Sequence, residues 1–258
     1  MRGVIEEAIE ALSLMQNYPQ KLSYSGDPSL LKRKKISVIG SRKPNPYTKA
    51  ATHQLSQALS RAGICIVSGG AMGVDAIAHG GAKASNTVAV LPNGLDHKYP
   101  AINKKLLASI EKEGLLLSQF DDDFKATPWS FVVRNELVVA LGEILVVTQA
   151  DLDSGSMRSV EFALDMGKEI YVLPHRLGES KGTNSLLQKG LAKAIYDIDE
   201  FAARFAGIQN ILRPDDEFIE FCKGAPTYDE AMLKYQDKVY EAELEGQISV
   251  RNGKVYVI

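Results

Sequence analysis

Three stretches of this 258-residue chain combine glycine and hydroxyl residues, the first with an arginine, in a way suited to holding an anion. Gly40-Ser41-Arg42 follows the apolar run Ile36-Ser37-Val38-Ile39. Glycine lets backbone N–H groups approach an anion, serine adds a hydroxyl donor, and arginine can fork onto a phosphate. The same residues would equally make a tight turn with a solvent-facing arginine. Ser68-Gly69-Gly70-Ala71-Met72-Gly73-Val74-Asp75 follows a second apolar run and precedes a helical pattern. Its spacing is not G-x-G-x-x-G and no Walker lysine follows, which argues against NAD or a nucleoside triphosphate. Asp75 fits the first helical turn, where a carboxylate complements the helix dipole. Ser154-Gly155-Ser156-Met157 opens a further helix, where small hydroxyl residues are N-caps or anion ligands.

A fourth group lies inside an apolar helical pattern: Phe131, Arg134 and Asn135. Arg134 falls one turn beyond Phe131. A cation beside an aromatic platform is how single-stranded nucleic acid is gripped without reading its bases. The competing reading is a core phenylalanine with a surface ion pair. The remaining polar clusters point to nothing comparable. His53, His79, His97 and His175 form no H-x-x-x-H pair, Asp121-Asp122-Asp123 has no second carboxylate cluster, and no metal or cofactor is expected. No G-x-S-x-G or Cys/His nucleophile pattern occurs. Lys32-Arg33-Lys34-Lys35 precedes the first core strand, at the opposite end from the glycine motifs, and reads as a solvated edge.

The elements that must position these groups alternate. Short apolar runs near 36–39, 64–67, 87–91, 115–117, 143–148, 169–173 and 194–196 are separated by helical patterns at 47–62, 74–84, 101–112, 129–141, 157–166 and 184–189. Such alternation predicts an α/β fold, a Rossmann-like parallel sheet with a mixed edge, buried on both faces and joined by right-handed crossovers. In such sheets ligands bind beyond the carboxyl ends of the strands, where the three glycine motifs lie. Residues 1–34 are expected to be a short helix over 4–15 and a lead-in segment. Residues 35–206 are expected to form the main domain and 207–216 a linker. In 217–258, three short helical patterns precede an alternating stretch around Asn252-Gly253, a strong hairpin signal that suggests a small winged helix.

Composition sets the outer limits. The formal charge is −2, so basic surface must come from local clustering. Residues 217–258 hold eight acids and five bases, a net −3. A DNA-reading wing should be basic, so this segment is expected to make protein contacts instead. The two cysteines, Cys65 and Cys222, form no disulfide framework, which fits a reducing compartment. No apolar stretch approaches ~18 residues and the N-terminus lacks a signal-peptide pattern, so no membrane association and a cytoplasmic location are expected.

Taken in order, Tyr18-Pro19, Gly40-Ser41-Arg42, residues 68–75, His79, Leu95-Asp96, Tyr99-Pro100, residues 114–118, Phe131 with Arg134-Asn135, Ser154-Gly155-Ser156, Pro174 and Gly182-Thr183-Asn184 resemble the DprA (Smf) DNA-processing family. The resemblance implies a dimeric single-stranded-DNA-binding protein, with no catalytic step, that loads the RecA recombinase during natural transformation. It implies DNA contacts at Gly40, Ser41, Arg42, Ser68, Gly69, Gly70, Gly73, Phe131, Arg134, Asn135, Ser154, Gly155, Ser156, Met157, Gly182, Thr183 and Asn184. Arg42 would clamp a phosphate, the three loop glycines would offer backbone donors, Phe131 would stack a base and Arg134 would hold the backbone. The chain departs from the family pattern at Ser118-Gln119-Phe120, where Ser-Glu-Tyr is usual. It departs again at Arg134-Asn135-Glu136, where Arg-Asn-Arg is usual, and Glu136 would weaken the DNA grip. A rival reading is a nucleotide-processing enzyme similar to the phosphoribohydrolases, with Glu161 as the catalytic carboxylate, but their Pro-Gly-Gly-x-Gly-Thr frame is missing. A third is an interaction scaffold without DNA binding.

Overall fold

The computed structural model describes residues 1–206, 216–244 and 247–257. Two compact units divide the chain, Met1–Gly207 and Ile208–Ile258. In the first unit, strands β1 (Arg2–Val4), β2 (Ser23–Gly26), β3 (Lys35–Ile39), β4 (Cys65–Ser68), β5 (Thr87–Val90), β6 (Leu115–Ser118), β7 (Leu145–Val147), β8 (Ile170–Val172) and β9 (Lys193–Ala194) form one sheet. Its order is β1-β2-β6-β5-β4-β3-β7-β8-β9. The β3–β9 strands pair in parallel, while β1 with β2 and β2 with β6 pair antiparallel. The expected α/β architecture with a mostly parallel sheet is therefore what the chain adopts. Strand order reverses between β3 and β7, which places the crevice-forming switch point beside Gly40.

Helices α1 (Pro46–Arg61), α2 (Val74–Ala82), α3 (Lys104–Glu113), α4 (Pro128–Leu141), α5 (Gly155–Asp165), α6 (Lys181–Gln188) and α7 (Ile198–Phe205) cover the sheet. The period-2 alternation of the strands sorts the layers. Cys65, Val67, Val88, Val90, Leu145 and Val147 pack in one core with α4 and α5. Ile36, Val38, Ile66 and Val146 pack in another with α1, α2 and α7. Helix α4 starts because Thr127 and Ser130 make reciprocal capping bonds. Its close approach to the sheet has two local causes. Ser37 Oγ donates to the Val138 carbonyl at 2.6 Å, and Gly142 leaves room, since a Cβ there would lie 2.2 Å from Ser37 Oγ.

The structure corrects the reading of residues 1–34. Instead of a helix over 4–15, Arg2–Val4 pairs with β2 and a short 3-10 helix, Glu10–Leu14, follows, with a second, Pro28–Lys32, before β3. Arg2 bridges Asp96 and Asp122, each at 2.9 Å, and the Ile5 N–H donates to the Leu22 carbonyl. Edge pairing satisfies these backbone groups directly, and Leu12 reaches the core from the 3-10 turn. The segment is thus the antiparallel rim of the sheet. Helix α7 was not anticipated. It packs Phe201 and Ala202 onto the second core. At the amino ends of the strands, Lys35 donates to the carbonyls of Leu31 and Arg33, so the basic run is partly spent on the backbone.

In the second unit, α8 (Asp216–Lys223), α9 (Tyr228–Tyr235) and α10 (Asp237–Leu244) precede strands β10 (Ile248–Arg251) and β11 (Lys254–Val257). Asn252 and Gly253 both have positive φ, 51° and 74°, as a two-residue hairpin turn requires. Phe218, Cys222, Ala231, Val239, Ala242, Ile248 and Val255 form a small core. Most of the expected linker, residues 207–215, lies outside the described residues. Among the described residues no helix is long and apolar enough to cross a membrane.

The first unit also buries a titratable base. His79 on α2 is fully buried, and its Nδ1 lies 2.7 Å from Thr87 Oγ1. The Thr87 hydroxyl donates its own proton to the Ile66 carbonyl, so Nδ1–H must be the donor, while Nε2 is buried with no hydrogen-bond partner among the described residues. Burial holds its pKa down to about 3, from an ordinary 6.5. Between those values protons bind the unfolded chain and not the folded one. The stability due to neutral His79 is therefore complete above pH 6.5 and is lost as pH falls toward about 3. Replacing His79 with Gln is expected to flatten the pH dependence of the melting temperature across that window, measured by circular dichroism against wild type.

Candidate nucleic-acid interface

The loop between β4 and α2 is held by three buried side chains. Asp75 Oδ2 accepts from the N–H groups of Gly69 and Ala71, at 3.2 and 3.3 Å. Arg134 Nη1, reaching from α4, donates to the Gly69 carbonyl and to the Val90 carbonyl, the latter at 3.1 Å. Asn103 Nδ2 donates to the carbonyls of Gly70 and Ala71, both at 2.9 Å. Asp75 is 8% exposed and Arg134 3%. Burial pushes the Asp75 carboxyl up, opposed by the Arg134 charge, and lowers the Arg134 guanidinium to about 10, opposed by Asp75. Arg134 is therefore cationic at neutral pH.

Above this floor is an open pocket lined by Arg42, Gly69, Ala71, Met72, Pro92, Tyr99, Pro100, Phe131 and Arg134. Phe131 is its centre. The Arg42 guanidinium carbon lies 5.4 Å from the Phe131 ring centroid and that of Arg134 lies 5.9 Å away. Tyr99 meets the same ring edge-on at 6.0 Å. Such cation–π distances orient a guanidinium without consuming its donors. Arg42 is exposed, and among the described residues no carboxylate pairs with it. Its N–H groups remain for a ligand. An apolar wall, an aromatic face and one unpaired arginine suit a phosphate with an attached base.

The structure sorts the expected contact residues. Arg42, Gly69, Phe131 and Arg134 come together at the pocket. The expected backbone donor at Gly69 is already spent on Asp75. Arg134, expected to hold a phosphate, is buried and bonded to carbonyls. Ser68 Oγ donates to the Val38 carbonyl at 2.7 Å, inside the sheet rather than toward a ligand. Ser41 ties loops together: its N–H donates to Gln149 O, its carbonyl accepts from Val74, and its Oγ accepts from the Lys43 N–H. Gly40 and Gly73 allow close packing, since a Cβ at Gly73 would lie 2.4 Å from Ser41 O. Gly70 has a φ of +67°. Asn135 is half-buried on α4.

Ser154, Gly155, Ser156 and Met157 gather with Gly182, Thr183 and Asn184 at the neighbouring strand end, and none of these lines the pocket. A Cβ on Gly182 would lie 2.7 Å from the Ala150 carbonyl and 2.9 Å from Met157 Sδ. Thr183 Oγ1 pairs with Ser180 Oγ at 2.6 Å, and Asn184 Nδ2 donates to the carbonyls of Arg176 and Glu179. Glu136, expected to oppose DNA, is buried and accepts from the Gln16 N–H at 2.8 Å. Two residues beyond Arg134 on a helix, it faces away from the pocket. Glu161, the carboxylate of the enzymatic reading, is exposed and pairs with Arg158 at 2.7 Å. Among the described residues no group of three His, Cys, Asp or Glu is placed to hold a metal. Asn103, Met72 and Pro92 were not anticipated, because they become neighbours only when the loops close. Asp75 was visible in sequence but fitted a helix-dipole role.

The glycine at 69 has a steric cause. A Cβ there would lie 1.6 Å from Arg134 Nη1 and 2.8 Å from Asp75 Oδ2. Replacing Gly69 with Ala is expected to expel the guanidinium and cost about 3 kcal/mol, the scale of breaking a buried charged contact. Urea unfolding of the variant against wild type measures this.

The DNA recombination-mediator protein A family model matches residues 7–206. The chain is 35% identical over 187 residues to the DNA processing protein DprA of Bacillus subtilis, covering 70% of this chain and 63% of that one. It is 32% identical over 198 residues to the DNA processing protein DprA of Streptococcus pneumoniae, covering 75% and 70%. The match to protein Smf of Synechocystis takes in only 44% of that protein's length. Two solved structures agree. DNA processing protein A from Helicobacter pylori, studied for its single-stranded DNA binding mode, superposes with a TM-score of 0.77 at 42% identity, covering 79% of this chain and 94% of that one. The Streptococcus pneumoniae DprA structure gives 0.73 at 31% identity, covering 80% and 74%. The family match runs from the antiparallel rim of the sheet to the last residues before the second unit, and with it the chain belongs to the DNA recombination-mediator protein A family.

Proposed function

We propose that this chain binds single-stranded DNA without reading its sequence and delivers it to homologous recombination. In this reading it is a binding protein, not an enzyme, and needs no cofactor. It acts in the cytoplasm as a homodimer, protecting DNA taken up in natural transformation and loading the RecA recombinase onto it. The observation that carries the reading is the exposed Arg42 guanidinium held 5.4 Å from the Phe131 ring centroid at the strand ends. Arg42 meets a phosphate, Phe131 stacks a base, and Tyr99 and Met72 close the sides. The start of α5, with Ser154, Gly155, Ser156 and Met157, provides a second backbone contact at the adjacent strand end. Gly182, Thr183 and Asn184 hold that contact in place. The match to a relative described for its single-stranded DNA binding mode supports this assignment.

The second unit, with three helices followed by a hairpin, is proposed to be a winged helix used for protein contacts. Its net charge of −3 over residues 217–258 disfavours a phosphate backbone. A chain ending at residue 206 is therefore expected to keep its affinity for single strands, within about twofold.

Backbone contacts make binding salt-dependent, with a log–log slope of about −0.7 per phosphate neutralised on single strands. In a fluorescence-anisotropy titration of labelled oligo-dT at several salt concentrations, Arg42→Ala is expected to weaken binding and reduce the slope by about 0.7. Phe131→Ala is expected to weaken binding with the slope intact, by about 1–3 kcal/mol per stacked base. An unchanged slope in Arg42→Ala would sink the assignment.

A further inference from the structure

Arg134 and Asp75 look at first like one more basic residue and one more helix-start acid, yet both are almost wholly buried. Each is bonded to the backbone of the same residue: Asp75 accepts the Gly69 N–H, and Arg134 donates to the Gly69 carbonyl. Asp75 also takes the Ala71 N–H, and Arg134 also takes the Val90 carbonyl at the end of β5. The second bond of each residue decides where the loop goes. Asp75 folds the loop back onto the first turn of α2. Arg134 ties the loop to β5 and to α4, the helix that bears Phe131. Ala71, so fixed, and Met72 beside it line the same pocket as Phe131.

We propose that Asp75 and Arg134 are positioning residues, which clamp the two peptide groups flanking Gly69 and thereby set the width of the slot in which a base stacks on Phe131. This rests on the single-stranded DNA reading above. It assigns Arg134 no phosphate. The Arg134 guanidinium is buried below the floor with Asp75 beside it, and the electrostatic grip at this pocket comes from Arg42. Loss of the clamp therefore removes base stacking and leaves the phosphate contact.

Two probes separate these contributions: a labelled oligo-dT and an abasic oligonucleotide of the same length and phosphate count. Both are titrated into the full chain at several salt concentrations, below the melting temperature of every variant. Wild type is expected to prefer oligo-dT by about tenfold or more, the equivalent of one stacked base. Arg134→Met is expected to lose most of that preference while its salt slope on oligo-dT stays at the wild-type value. Where Arg134→Met does not fold, Asp75→Asn decides: it keeps a carbonyl acceptor but not the charge, and its preference is expected to fall at least twofold with the slope unchanged. A slope reduced by about 0.7 in Arg134→Met would make Arg134 a phosphate ligand and overturn the proposal. A wild-type preference retained in folded variants, with only the melting temperature lowered, would overturn it too, by making the pair merely structural. Wild type that binds neither probe would instead refute the DNA reading itself.

Discussion

The backbone of Gly69 is held on both sides, its N–H by the buried Asp75 side chain and its carbonyl by the buried Arg134 guanidinium. Buried charges are tolerated only when hydrogen-bonded, and here the bonding partner is the loop that shapes the pocket. Much follows from that constraint. Residue 69 has no room for a side chain. Helix α4 must lie near enough to the sheet for Arg134 to reach two strand ends, and Ser37 and Gly142 provide that approach. Helix α2 must begin where Asp75 can turn back onto the loop. Asn103, from the segment before α3, then takes the next two carbonyls.

The site thus separates into a floor and a surface. The floor is built from side chains hydrogen-bonded to the loop and strand backbone, so it resists rearrangement when a ligand arrives. The surface is Arg42, Phe131, Tyr99 and Met72, at least partly open to solvent. Preorganisation of this kind lowers the ordering cost of binding. Holding Arg42 against an aromatic ring rather than a carboxylate has the same effect. Its rotamer freedom is reduced while its charge and donors remain available.

Several features were legible in the residues alone, for identifiable reasons. Strands buried on both faces must be continuous apolar runs, so β3 to β8 announced themselves and their order along the chain implied parallel pairing. Glycines at the strand ends marked where backbone approaches backbone. The Asn252-Gly253 turn needs two residues with positive φ, a demand few other pairs meet. The amino-terminal segment misled because apolar spacing of three and four also fits residues that alternate between a sheet edge and a 3-10 turn. Glu136 misled because adjacency to Arg134 in sequence is not adjacency on a helix, and its partner, the Gln16 N–H, comes from 120 residues away.

By itself the sequence determined the layered α/β core, the placement of the glycine, serine and arginine motifs at one end of the sheet, and the ordered motifs of a DNA-processing family. These depend on local spacing and on which residues tolerate burial, both of which are properties of the chain in one dimension. Only the tertiary structure decided which arginine can meet a ligand. Arg42 and Arg134 are chemically identical, and both lie near Phe131. One ends exposed and the other beneath the loop, bonded to Gly69 and Val90. That difference is set by where α4 docks and how the loop closes, a matter of three-dimensional desolvation that no spacing along the chain encodes.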